Sequence, residues 1–203
     1  MAKRFFKVRS CIASVLCIAS LSAVSAQAFS DVSPNAYYKT AVDWAASEGI
    51  TSGSDKEHFS PDKLCSRAQT VTFLWRANGS PAVSGNNPFT DVAPEDYFYQ
   101  AVLWAVQNGV TSGTSATEFS PYKQVTRAQV ATFLHRAAGS PNPQSMARFA
   151  DVSSSAYYAN AVSWAAASGI TTGTSASAFS PDKGCTRAEI ATFLYRRDRK
   201  SVV

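Results

Sequence analysis

"VTRAQVATFLHRAAGSP", residues 125–141, reads as one helix with its start and stop written in. Thr126 and Gln129 have the spacing of a capping box, in which a hydroxyl and the residue three positions on satisfy reciprocal backbone donors. Arg127 does not suit that reading. It falls at the first helical position, where a cation opposes the helix dipole by roughly 0.3–1 kcal/mol. The same anomaly recurs at Arg67 in "CSRAQTVTFLWRANGSP" and at Arg187 in "CTRAEIATFLYRR".

Working outward from those stretches, the chain repeats itself with a period of 60 residues and no insertion. Phe29, Phe89 and Phe149 match, as do Asp31, Asp91 and Asp151, and Trp44, Trp104 and Trp164. The register continues through Gly49, Gly109 and Gly169, Phe59, Phe119 and Phe179, and Pro61, Pro121 and Pro181. The units span 29–81, 89–141 and 149–196.

Each unit opens with a loop such as "FSDVSPNAYY", in which Ser33 before Pro34 suits an N-cap followed by proline at the first helical position. The spacing of Tyr38, Ala41, Val42 and Ala45 predicts a one-sided helix, ended at Gly49 by a left-handed cap. A turn-rich crossing, "ITSGSDKEHFSPDK", leads to a second helix over 67–78 with Val71, Leu74 and Trp75 on its buried stripe. The class is therefore all-α, three tandem two-helix repeats. Two helices of this length cannot bury their apolar residues alone, so the units must share a core. The pattern permits either a row or closure around a three-fold axis.

Both ends of the chain distort its composition. Residues 1–28 have a basic start (Lys3, Arg4, Lys7, Arg9), an apolar run from Cys11 and small residues at Ala26 and Ala28, the pattern of a secretory signal peptide. Residues 197–203 break the repeat, and "DRKSVV" back-translates onto a widely used sequencing-adapter stretch. The tail is thus expected not to be biological, with a cargo domain after the third repeat cut away. The formal charge of +5 comes largely from these ends, because residues 29–196 carry 12 Lys and Arg against 13 Asp and Glu. Near-neutrality argues against nucleic acid or anionic lipid as partner, and no membrane contact is expected after signal cleavage.

Most repeated positions have a sufficient structural reading. The three tryptophans lie within amphipathic helices and read first as core, with sugar stacking as the alternative; Asp31, Asp91 and Asp151 can bond their own turn. Three lone aspartates do not make a calcium loop, so no metal is implied, and nothing calls for a cofactor. Cys65 and Cys185 share one repeat position with Val125 and read as apolar residues beside a helix start. A disulfide between them is the alternative in an exported protein. His58 and His135 occupy non-equivalent positions, and no nucleophile motif or phosphate loop occurs, so no catalytic residue and no enzyme is expected.

The arginines leave two readings open. A bound anion would reverse the unfavourable placement, with free backbone donors, the dipole and the guanidinium converging on it. Alternatively each arginine pairs with an acidic residue of a neighbouring unit. On the anion-binding reading, alanine at all three is expected to leave the helices intact, since the capping residues remain.

The ordered set "FxDV", "AVxWA", "GITxG", "FSPxK" and "TRAE"-like stretches, present in every copy over residues 29–196, resembles the S-layer homology domain family. The resemblance implies a pseudo-trimer of three repeats around a central helix bundle, anchoring the protein non-covalently to the bacterial cell envelope. It further implies a secondary cell-wall polysaccharide as partner, often bearing ketal-linked pyruvate, held in grooves between neighbouring repeats. The family's "TRAE" arginine meets the anionic sugar, a role that carries over to Arg67, Arg127 and Arg187. Trp44, Trp104, Trp164, Asp31, Asp91 and Asp151 are supporting candidates, and the expected location is the cell wall or cell surface. Departures are Ser66 for threonine in the first copy and Gln69 and Gln129 for glutamate in the first two. Competing readings are a helical-repeat scaffold for protein partners and the anchor fragment of a longer surface enzyme.

Overall fold

The computed structural model describes residues 29–147 and 149–200; the expected signal peptide and the end of the tail lie outside the described residues. The described secondary structure consists of six helices: α1 (Lys39–Ser47), α2 (Arg67–Ala77), α3 (Tyr99–Gln107), α4 (Arg127–Ala137), α5 (Ala159–Ala167) and α6 (Arg187–Lys200). The second helix of each unit starts where the capping boxes placed it. Ser66 and Thr126 accept from the backbone N–H of Gln69 and Gln129, whose side chains accept in return. Thr186 and Glu189 make the same reciprocal pair.

The first helix of each unit begins later than Ser33 and Pro34 suggested. Two successive turns, Ala36 N–H to Ser33 C=O and Lys39 N–H to Ala36 C=O, precede α1. Proline is not the start signal, because Ser154 replaces it in the third unit and α5 starts in the same register. The helix forms where Ala41, Val42 and Ala45 can be buried, and Gly49 ends it in the left-handed region at φ 67°.

Packing runs across units rather than within them. The main partner of α3 is α2, that of α5 is α4, and that of α1 is α6, so the first repeat closes onto the third. Helices α2, α4 and α6 meet in the middle. At their starts the backbone forms a ring: Cys65 N–H donates to Cys185 C=O, Cys185 N–H to Val125 C=O, and Val125 N–H to Cys65 C=O, at 2.9–3.0 Å. Around it, Arg67, Arg127 and Arg187 N–H reach the carbonyls of Lys123, Lys183 and Lys63, while Ala68, Ala128 and Ala188 N–H reach Pro121, Pro181 and Pro61. The donors left over at each helix start are thereby satisfied by the next repeat.

The repeated aspartates lock the loops. Asp31 accepts from Phe59 N–H at 2.8 Å and Ser60 N–H at 2.7 Å, and Asp91 and Asp151 do the same in their units. This grip holds Ser60, Ser120 and Ser180 at φ 56–58°, a region non-glycine residues enter at a cost. The bonds from Phe179 and Ser180 hold the Asp151 carboxyl below its ordinary range.

Cys65 and Cys185 are free and buried at the axis. Burial pushes the Cys65 thiol up to about 12 and Cys185 well above its ordinary value. Thiolate is the reactive form, so labelling of the native protein is expected to be slow for both. In the chain beginning at Phe29, which lacks Cys11 and Cys17, unfolding without reductant should make two thiols react; none reacting would instead establish a disulfide between Cys65 and Cys185.

Candidate groove site

Three grooves related by the repeat run between the units, and each draws on all three repeats. One is lined by Tyr157 of the third repeat, Arg67 of the first, and Thr111, Lys123, Phe133 and Arg136 of the second. Rotation by one repeat gives the groove of Tyr97, Arg187 and Lys63, and another gives that of Tyr37, Arg127 and Lys183. Their volumes are about 380, 300 and 440 Å³, within the roughly 300–1,000 Å³ of small-molecule sites.

The helix-start arginines form the floor, with only 3–4% of their surface exposed. Arg67 Nε donates to Phe119 C=O at 2.9 Å, Arg127 Nε to Phe179 C=O at 2.9 Å, and Arg187 Nε to Phe59 C=O at 2.7 Å. Each guanidinium lies between two rings, Arg67 at 4.9 Å from Phe119 and 5.4 Å from Phe133. Desolvated cation–π contacts of this kind contribute about 2 kcal/mol each, more than the dipole costs. Interlocking of repeats is therefore a sufficient structural reason for an arginine at a helix start.

Two expectations change at this point. No free helix-start donors converge on an anion, because neighbouring carbonyls and the capping hydroxyls use them. Alanine at the arginines cannot be neutral either, since it would empty the space between two rings and strand a buried carbonyl. Pairing with a neighbour's carboxylate occurs once among the described residues, between Arg127 Nη1 and Glu189 Oε1 at 2.8 Å. Arg67 and Arg187 have no carboxylate within 4.0 Å among the described residues. Burial pushes the pKa of both guanidiniums down, the mark of a cation held out of water.

Sequence reasoning passed over much of the lining. Lys63, Lys123 and Lys183 are exposed, and Tyr37, Tyr97 and Tyr157 are 69%, 62% and 68% exposed, large rings left in solvent at each groove. Arg76, Arg136 and Arg196 donate to Ile50, Val110 and Ile170 C=O rather than to their own helix ends, and face the same grooves. All these residues recur at the period of 60, which was the available signal. Their convergence was not visible, because the contributors to one groove come from three repeats.

The supporting candidates lie elsewhere. Trp104 is buried, Trp44 packs 5.6 Å from Tyr195, and Trp164 packs 5.4 Å from His135. None of the three tryptophans or three aspartates lines a groove. His135 substitutes for Trp75: its Nε2 meets Pro141 C=O at 2.8 Å, where Trp75 Nε1 donates to Pro81 C=O at 3.0 Å.

Comparison with known proteins agrees with the division into three tandem repeats. The profile of the S-layer homology domain matches residues 28–71, 88–131 and 148–191. The chain is 31% identical over 198 residues to the Surface-layer 125 kDa protein of Lysinibacillus sphaericus, covering 95% of this chain and 17% of that protein. It is 25% identical to the S-layer protein of Bacillus thuringiensis subsp. finitimus, over 90% of this chain and 23% of the relative. Exoglucanase XynX of Acetivibrio thermocellus is 26% identical over 85% of this chain and 16% of its own length. The chain thus spans less than a quarter of each of these relatives.

Proposed function

Because the chain belongs to the S-layer homology domain family, we propose that it is a cell-surface anchoring module whose three grooves hold an anionic secondary cell-wall polysaccharide of bacteria. The observation that carries the reading is the composition of the grooves. Each sets a buried arginine, an exposed lysine, a second arginine and an exposed tyrosine around one cleft. The guanidiniums and lysine suit a carboxylate and the tyrosine suits a sugar ring, so a sugar bearing ketal-linked pyruvate fits both features. Glycan contact falls to Arg67, Arg127 and Arg187 with these neighbours rather than to the tryptophans.

The similarity to XynX confined to this region favours a second element of the proposal, that such a module tethers a larger surface protein. Residues 1–28 would direct export. The test is retention of the protein on purified wall fragments with and without their secondary polysaccharide. Retention should depend on the polysaccharide and fall as salt rises, since exposed lysines contribute through screened charge. Equal retention on stripped walls would overturn the reading.

A further inference from the structure

Tyr122 breaks the threefold pattern on the surface. Asp62 and Asp182, both exposed, hold the same position in the first and third repeats. A neighbouring position changes in step with it, since Phe98 stands where the sister units have Tyr38 and Tyr158. In the first repeat the two positions are polar, and burial followed by the Asp62 carboxylate pushes the Tyr38 phenol up. In the second they are aromatic. Phe98 meets Tyr97 at 5.0 Å and Tyr122 at 6.0 Å, both rings nearly perpendicular to its own. Phe98 is buried, whereas Tyr97 and Tyr122 are 62% and 76% exposed. Two rings in solvent are thus braced on one ring in the core. Tyr97 lines the groove of Arg187, and Tyr122 stands outside that lining, joined to it through Phe98 and Tyr97.

We propose that Tyr122 and Tyr97 form a second sugar-binding subsite at the mouth of the Arg187 groove, taking an uncharged sugar ring next in the glycan to the one whose carboxylate the cations hold. The inference rests on the anion-binding reading of the grooves. A polysaccharide gripped by one sugar must leave the groove across the adjoining surface, so neighbouring sugars meet whatever that surface presents. A pyranose offers a face of C–H groups edged by hydroxyls, which matches a ring with an apolar body and a polar tip. At the equivalent place Asp62 and Asp182 set carboxylates, which repel a polyanion. Tyr122 replaces that repulsion with a neutral stacking surface, and the Arg187 groove gains a contact its sisters lack.

The experiment measures how much polysaccharide-bearing wall fragment retains half of the protein. Tyr122→Ala should need about fivefold more, the loss of one aromatic contact of about 1 kcal/mol. The factor should persist in high salt, because a ring contact is not screened. Tyr122→Phe should stay within about twofold of the parent. A transplant that leaves the Arg187 groove untouched, Tyr158→Phe with Asp182→Tyr, should need about threefold less wall, and its gain should survive high salt where that of Asp182→Asn does not. It keeps the test decisive even where Tyr122→Ala misfolds. Unchanged retention in a folded Tyr122→Ala, an equal loss in Tyr122→Phe, or no gain in the transplant would overturn the subsite while the parent's dependence on polysaccharide leaves the anchoring reading standing. Parent retention equal on stripped walls overturns both.

Discussion

A chain ending at Pro141, with the third repeat removed, is expected not to fold cooperatively. The deletion takes α6 from α1 and α5 from α4, exposing Ala41, Val42 and Ala45 on one side and Ala128 and Ala131 on the other. Two of the three hydrogen bonds in the axial ring disappear with Cys185. Ile170, Phe179 and Ile190, each fully buried, leave the core with Phe193 and Leu194. At about 1.5–3 kcal/mol for each large apolar side chain, the loss is comparable with the total stability of an ordinary domain, about 5–15 kcal/mol. Far-UV circular dichroism and a thermal scan check it. A sigmoidal melt within a few degrees of the full chain would mean that two repeats suffice and that closure is incidental.

The second large effect separates the two roles of the groove cations. Arg187→Ala should forfeit the Nε bond to Phe59 and contacts with two rings at 4.8 and 5.2 Å. With a buried carbonyl left unpaired, the cost is about 3 kcal/mol, or a fall of about 6–12 °C in melting temperature for a chain of this size. Alanine at all three arginines should abolish the fold, so wall binding by that variant would report unfolding rather than recognition. Lys63→Ala, Lys123→Ala and Lys183→Ala combined is the cleaner probe. Those side chains are exposed, and the backbone carbonyls that tie the repeats together are untouched. The triple lysine variant should melt within about 6 °C of the parent, as exposed substitutions generally cost under about 0.5 kcal/mol each. Its retention on polysaccharide-bearing walls should drop at least about tenfold. Undiminished retention would remove the lysines from the binding reading.

What the sequence determined by itself is everything carried by short spacings. The period of 60, the starts of α2, α4 and α6, the cap at Gly49 and the need for a shared core all follow from residues within a turn or two of one another. Hydroxyl and amide three positions apart cap a helix wherever they occur, so Ser66 with Gln69 could be read without knowing their neighbours. The start of α1 was misread because Ser33–Pro34 is a local signal that the turns ahead of the helix also satisfy.

Only the tertiary structure decided what the arginines touch. Arg67 meets Phe119, Arg187 meets Phe59, and Tyr37, Arg127 and Lys183 line one groove. These partners come from different repeats, and no periodicity within one unit encodes them. The contest between a free helix start and a satisfied one was settled by backbone carbonyls of Pro61, Lys63 and their equivalents, groups that every sequence possesses and none advertises. Likewise Gln and Glu at 69, 129 and 189 are interchangeable as caps. Their difference in charge shows as an ion pair because closure around the axis sets Glu189 beside the arginine of another repeat.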